Sequence, residues 1–213
     1  MDVLVAGGHG KIALHLLRLL AADGHRARGL IRKPEQAADL EAAGAVAVLG
    51  DLEADASLAG YVQGADVVVF AAGAGPGSGP ERKRTVDLGG AVKLADAALA
   101  VGVARYVMVS SIGADRPQLA SGGMRPYLDA KAEADQYLMA SGLDYTIVRP
   151  GSLTDDPGTG RVRVATELGG RGGIPREDVA AVIAAVLDAP NTIGVTFELF
   201  SGDRLVAEAV QSL

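Results

Sequence analysis

Cysteine is absent from the 213 residues, and so is tryptophan. Without cysteine there is no disulfide, no thiolate metal site and no cysteine nucleophile. The same absence fits a reducing cytoplasm. Aromatic residues reach only 4%, so alanine, valine, leucine and glycine must build the core. Such a core suits helices packed closely on a parallel sheet. Basic residues are outnumbered, 20 against 26 acidic ones, for a net charge of −6. No basic cluster resembles a nucleic-acid footprint, which disfavours a nucleic-acid partner. The three histidines, His9, His15 and His25, are scattered, and no histidine lies near Asp155 and Asp156 in the sequence. No metal site is expected from that pattern. No apolar run is long enough to span a bilayer, and no basic-then-apolar leader precedes the first apolar run. The expectation is a soluble, cytoplasmic protein with no membrane partner.

What is present is alternation. Short apolar runs at 3–6, 26–31, 45–49, 66–70, 104–111 and 144–151 read as strands. Between them, 11–24, 34–44, 82–101 and 124–141 carry helical periodicity, with glycine or proline at several ends. A glycine-rich loop occupies 71–80. Past Pro150 the order weakens to a short strand at 161–165, a helix at 176–190 and a strand at 196–200. This pattern predicts an α/β fold, a doubly wound (Rossmann) parallel sheet with helices on both faces. The chain length suits one domain over 1–213, with 151–213 contributing a small substrate-binding part.

"VLVAGGHGKIA" (3–13) is the strongest local signal. A strand runs into Gly7, Gly8, His9 and Gly10 and then a helix, and Gly7, Gly10 and Ala13 fit G-x-x-G-x-x-A. Glycines let backbone N–H groups approach a pyrophosphate, and a helix N-terminus adds a favourable field. The loop with the first helical residues, Lys11 and Ile12, is the candidate phosphate cradle. The second strand ends "GLIRKP", with Arg32 where an NAD-preferring site usually has an acid, and Lys33 beside it. Arginine there can form charge-assisted bonds with a 2′-phosphate, which favours NADP over NAD. The bland alternative for Arg32 is a solvated surface charge. Asp51 and Leu52 close the third strand as candidate adenine contacts, with a plain turn as the alternative. Ala71, Ala72 and Gly73 follow the fourth strand and are small enough to lie along the nucleotide.

"YLDAK" places Tyr127 and Lys131 four residues apart, on one face of a helix. With "VMVSS", "AAGAG", "YTIVRPGSL" and "IPREDVA", the chain resembles the short-chain dehydrogenase/reductase superfamily. The resemblance is closest to the atypical, sugar-epimerase-like or flavin-reductase-like branch, and covers most of the chain. It implies that Tyr127 is the general acid/base and that Lys131 holds the nicotinamide ribose. A phenol titrates near ~10, and an adjacent ammonium favours its ionised form. Ser111, or its neighbour Ser110, would bind the substrate oxygen; the register between them stays open, and Ser110 is also a candidate cofactor contact. Pro150, Gly151 and Leu153 would pass beside the nicotinamide carboxamide and wall the substrate pocket.

Three functions follow: an NADP(H)-dependent oxidoreductase acting on a small carbonyl, quinone or flavin-like substrate, a nucleotide-sugar epimerase or dehydratase, and a non-catalytic NADP-binding sensor. In larger relatives the helices at 82–101 and 124–141 form a dimer bundle, so the resemblance implies a monomer or a homodimer.

Overall fold

A computed structural model describes residues 1–75 and 77–213. The chain begins with β1 (Asp2–Ala6), α1 (Lys11–Ala22) and β2 (Arg26–Ile31). The predicted helix at 34–44 is a 3-10 turn over Pro34–Gln36 continued by α2 (Ala37–Ala42). Then come β3 (Val46–Leu49), the short α3 (Ala59–Val62) and β4 (Val67–Phe70). The predicted helix at 82–101 has three parts: α4 (Pro80–Arg82), a π-helical stretch over Lys83–Gly90, and α5 (Ala91–Val101). The π-helical register carries Asp87 into the interior, where it is 1% exposed. β5 (Arg105–Val109), a 3-10 turn (Pro117–Leu119), α6 (Met124–Ala140) and β6 (Asp144–Pro150) follow.

Beyond Pro150 lie β7 (Ser152–Thr154), β8 (Arg161–Ala165), β9 (Gly173–Pro175), α7 (Arg176–Leu187), a 3-10 turn (Pro190–Thr192), β10 (Val195–Ser201), β11 (Arg204–Leu205) and α8 (Val206–Gln211). Nine strands form one sheet in the order β11-β8-β10-β6-β5-β4-β1-β2-β3, and β7 pairs with β9 apart from it. From β3 to β10 every pairing is parallel, while β8 is antiparallel to both β10 and β11. The Rossmann-like α/β architecture expected from the alternation is therefore present. Beyond Pro150, β8, β10 and β11 extend that same sheet and α7 covers it.

The central strands β1, β4 and β5 are buried on both faces, and their side chains alternate between two cores. Val3 and Val5 join a core with Leu16 and Leu17 of α1 and Val182 and Ile183 of α7. Leu4 and Ala6 face the opposite core, with Leu94 of α5 and Leu138 of α6. The chain winds outward from β1 to β3, then crosses back to β4 on the other side of β1. The crevice beyond the carboxyl ends of β1 and β4 is the place where such a sheet receives a ligand. Among the described residues no helix is long and apolar enough to cross a membrane.

Candidate functional site

A cleft of about 260 Å³ opens at that crevice. Gly7, His9 and Gly10 line it from the loop after β1, and Ala71, Ala72 and Gly73 line it from the end of β4. Gly7 adopts φ +80°, and a Cβ on it would lie 2.6 Å from the Cα of Ala72. Only glycine lets the two strand ends come this close. The first bond into α1 runs from the Leu14 N–H to the Gly10 carbonyl at 2.9 Å. The first-turn N–H groups before it, on Lys11, Ile12 and Ala13, are the open donors of a helix N-terminus, suited to an anion.

Gly8 has a different role from its neighbours. Its N–H donates to the Leu30 carbonyl at 2.9 Å, and a Cβ on it would meet Gly29 at 2.8 Å. Gly8 packs the loop onto β2. The Lys11 ammonium bonds the Asp155 carboxylate, which also accepts from Arg176 at 2.6 Å. The Lys11 bond is the main reason the Asp155 carboxyl lies below its ordinary range. The Ile12 side chain packs on the core beneath the loop. The side chains of both residues are thus engaged elsewhere, and neither lines the cleft.

Arg32, Asp51 and Leu52 form the far end of the cleft. Asp51 accepts from the Glu53 N–H at 2.8 Å and the Ala54 N–H at 3.3 Å through one carboxylate oxygen, which shapes the turn after β3. The Lys93 ammonium secures the same turn by donating to the carbonyls of Leu52, Glu53 and Asp55. Asp55 accepts from the Asp51 N–H and the Tyr61 hydroxyl, and these bonds hold its carboxyl below the ordinary value. Lys33 faces Glu35 at 3.8 Å and does not line the cleft. His9 is held by Asp39 at 2.7 Å and by Gln36 at 3.1 Å.

Two charged residues of the cleft, Glu53 and Arg82, are not among those singled out from the sequence. Glu53 accepts from Arg82 at 2.6 Å and from the Thr85 hydroxyl at 2.6 Å, and Arg32 stands 3.9 Å from the same oxygen that Arg82 binds. The Thr85 bond, with Arg82 adding to it and burial opposing, keeps the Glu53 carboxyl below its ordinary value.

Tyr127 and Lys131 project from α6 and, like Ser110 and Ser111, stand outside the lining of that cleft. Lys131 is 3% exposed. Its ammonium donates to the Val109 carbonyl at 3.0 Å and lies 3.5 Å from Asp87, a buried acid not identified in the sequence. Asp87 in turn accepts from the Ala74 N–H at 3.1 Å, linking the loop after β4 to the lysine. The Tyr127 ring is half-buried between two ammonium groups, with Lys83 at 5.2 Å and Lys131 at 6.0 Å from its centroid.

The two serines after β5 diverge. Ser110 is buried and donates to Asp135 at 2.9 Å, and Asp135 also accepts from Arg149. Burial raises the Asp135 carboxyl, and Arg149 and Ser110 oppose that rise. Ser111 is half-buried, and its hydroxyl donates to the neighbouring Ile112 carbonyl at 3.2 Å. Pro150 accepts from the Ile112 N–H at 3.0 Å, which joins the turn after β6 to the serine loop. Gly151 sits where a Cβ would approach the Gly172 carbonyl to 2.2 Å. Leu153 lies in β7 and is 37% exposed. Pro150, Gly151 and Leu153 stand outside the lining of the 260 Å³ cleft. Among the described residues no group of three or more His, Asp or Glu side chains is disposed to hold a metal.

The parallel sheet, the glycine turn at its switch point and the open helix N-terminus define a dinucleotide-binding protein of the Rossmann type. Comparison with known proteins specifies it further. Residues 7–190 match the NAD(P)H-binding family model, and the chain belongs to that family. It is 43% identical to the uncharacterised sugar epimerase YhfK of Bacillus subtilis, over the whole of both chains. The structure superposes on that of a candidate NAD-dependent epimerase/dehydratase from Bacillus halodurans with a TM-score of 0.96, at 42% identity and full coverage of both. The oxidoreductase ylbE from Lactococcus lactis gives a TM-score of 0.85 at 29% identity, over 100% of this chain and 96% of that one. The chain is thus a member of an oxidoreductase- and epimerase-like NAD(P)-binding family.

Proposed function

We propose that the protein is an NADP(H)-dependent oxidoreductase that transfers hydride to or from a small carbonyl, quinone or flavin-like substrate. The observation that carries the cofactor choice is Arg32. It lines the cleft at the end of β2 with no acid in its place, and its guanidinium suits a 2′-phosphate. Gly7 and the first turn of α1 fit a pyrophosphate, since a Cβ at Gly7 would close the approach. The nicotinamide, when bound, supplies or accepts the hydride.

The remaining work falls to this chain's own side chains. An ammonium has three donors. Lys131 spends one on Val109 and faces Asp87 with another, which leaves one for a ribose hydroxyl. Tyr127, beside Lys131, carries the proton to or from the substrate oxygen. Ser111, whose hydroxyl has a local carbonyl as its partner among the described residues, orients that oxygen. Asp87 fixes the lysine, and the Ser110–Asp135–Arg149 network fixes the base of the site.

A second reading, a sugar-nucleotide epimerase, is favoured by the names of the Bacillus relatives, and the same tyrosine–lysine pair would serve it. The deciding experiment titrates the protein with NADPH and NADH, repeats this with Arg32→Glu, and screens carbonyl, quinone, flavin and nucleotide-sugar substrates. Tighter NADPH binding that Arg32→Glu abolishes supports the cofactor assignment; equal binding of both, unchanged by the substitution, refutes it. Tyr127→Phe should lower turnover about 10²–10⁴-fold with NADPH affinity retained. Full activity in that variant would remove Tyr127 from the chemistry.

A further inference from the structure

The Glu53 carboxylate draws two arginines from distant parts of the chain onto one point of the cleft. Arg82 comes from α4 and Arg32 from the end of β2, and both face the same Glu53 oxygen, at 2.6 and 3.9 Å. The other oxygen takes the Thr85 hydroxyl. The three charged residues line the cleft together. Such an arrangement of donors is the one expected around a phosphate, with a carboxylate standing in its place.

We propose that Arg82 and Arg32 together form the 2′-phosphate subsite, and that Glu53 occupies it as an internal anion which the phosphate displaces. The inference rests on the NADP(H) reading above. A phosphate monoester carries about −1.5 to −2 charges at pH 7 and three acceptor oxygens, against one charge and two oxygens for the carboxylate. It therefore outcompetes Glu53 for two guanidinium groups. The exchange requires only side-chain motion. The Lys93 ammonium holds the Glu53 carbonyl at 3.2 Å and its two flanking anchor points at 2.9 and 2.8 Å, so the backbone of the turn stays put. The Glu53 side chain is 28% exposed and the two arginines 41% and 49%, so the carboxylate can swing toward solvent. Until displaced, Glu53 lowers the apparent affinity for a 2′-phosphate by the fraction of time it holds the arginines. A ligand with a bare 2′-hydroxyl meets no such competition at that point.

Calorimetric titration with 2′,5′-ADP and 5′-AMP, alongside NADPH and NADH, tests this. Glu53→Gln should tighten 2′,5′-ADP and NADPH about threefold to tenfold, with 5′-AMP and NADH unchanged. Arg82→Met should weaken 2′,5′-ADP and NADPH about tenfold or more, the size of one lost charge-assisted bond, with 5′-AMP unchanged; Arg82→Lys should fall between. If Glu53→Gln instead weakens 5′-AMP and NADH, Glu53 holds the ribose hydroxyls and the inference is overturned. If all four ligands bind but Arg82→Met moves none of them, the subsite is wrong while the dinucleotide reading survives. If the parent protein binds none of the four, both fall.

Discussion

Ser110 donates its hydroxyl to Asp135 at 2.9 Å and is thereby withdrawn from the crevice. Adjacent serines at the end of a strand look interchangeable in a sequence. One buried carboxylate, already engaged by Arg149, separates them: Ser110 is tied into a buried network and Ser111 is left half-buried outside it.

Ser110→Ala should therefore act on stability and Ser111→Ala on turnover. Removing the Ser110 donor leaves a buried carboxylate short of a partner, at a cost of about 1–3 kcal/mol. Ser111→Ala should leave the melting temperature nearly unchanged and slow substrate reduction. Denaturant melts and steady-state rates on both variants check the split, and the reverse pattern would exchange the two roles.

Asp87 and Lys131 should behave as a unit. Lys131→Met strands a buried acid and should destabilise by about 3–5 kcal/mol. Adding Asp87→Asn should restore much of that loss while leaving cofactor binding weak, because the ribose donor is still missing. A double-mutant cycle read by denaturation and by NADPH titration separates the two effects.

Gly7 and Gly24 share a left-handed backbone, φ +80° and +78°, but only Gly7 is crowded. Gly24→Ala meets nothing within 4 Å and should cost only the conformational term, about 1–2 kcal/mol. Gly7→Ala adds a clash with the Ala72 backbone and should cost more, with loss of nucleotide affinity. Thermal melts and NADPH titration of both variants provide the comparison.

Acidification should weaken the fold through particular carboxyls. Glu53, Asp55 and Asp155 all titrate below their ordinary values, 4.5 for Glu53 and 3.8 for the aspartates, when folded. The unfolded chain then binds protons more readily, so their contribution is full above those ordinary values and is lost as pH falls through the lower folded ones. Asp135, raised by burial, works in the opposite sense: its contribution is present below 3.8 and declines as pH rises through its folded value. Melting temperatures between about pH 7 and about pH 3 should fall, and Glu53→Gln should flatten part of that slope.

Much of the scaffold was legible in the sequence because it follows from local signals. β-branched runs mark strands buried on both faces, and Gly7 and Gly10 mark the turn between β1 and α1. Glu53 and Arg82 were missed because nothing local announces a pair 29 residues apart. Asp87 was missed for a different reason. Under the ideal helical period assumed for 82–101 it is one polar residue among several, and the π-helical stretch that carries it has no recognised sequence signature. β7 and β9 are three residues each, too short to show an alternation. Gly8 lies in the glycine loop between two motif glycines, yet packs against Gly29, a contact that exists only once β2 lies beside β1.

Helix α7 begins 165 positions after the start of α1, yet the two lie against each other, with Leu16 and Leu17 meeting Val182 and Ile183. The glycine turn at the head of α1 thus leans on α7, reinforced by Lys11 reaching Asp155. A fragment cut at Pro150 would keep every glycine of the nucleotide motif and still expose the underside of the helix that presents it. During synthesis, that helix finds its permanent neighbour only after α7 has emerged.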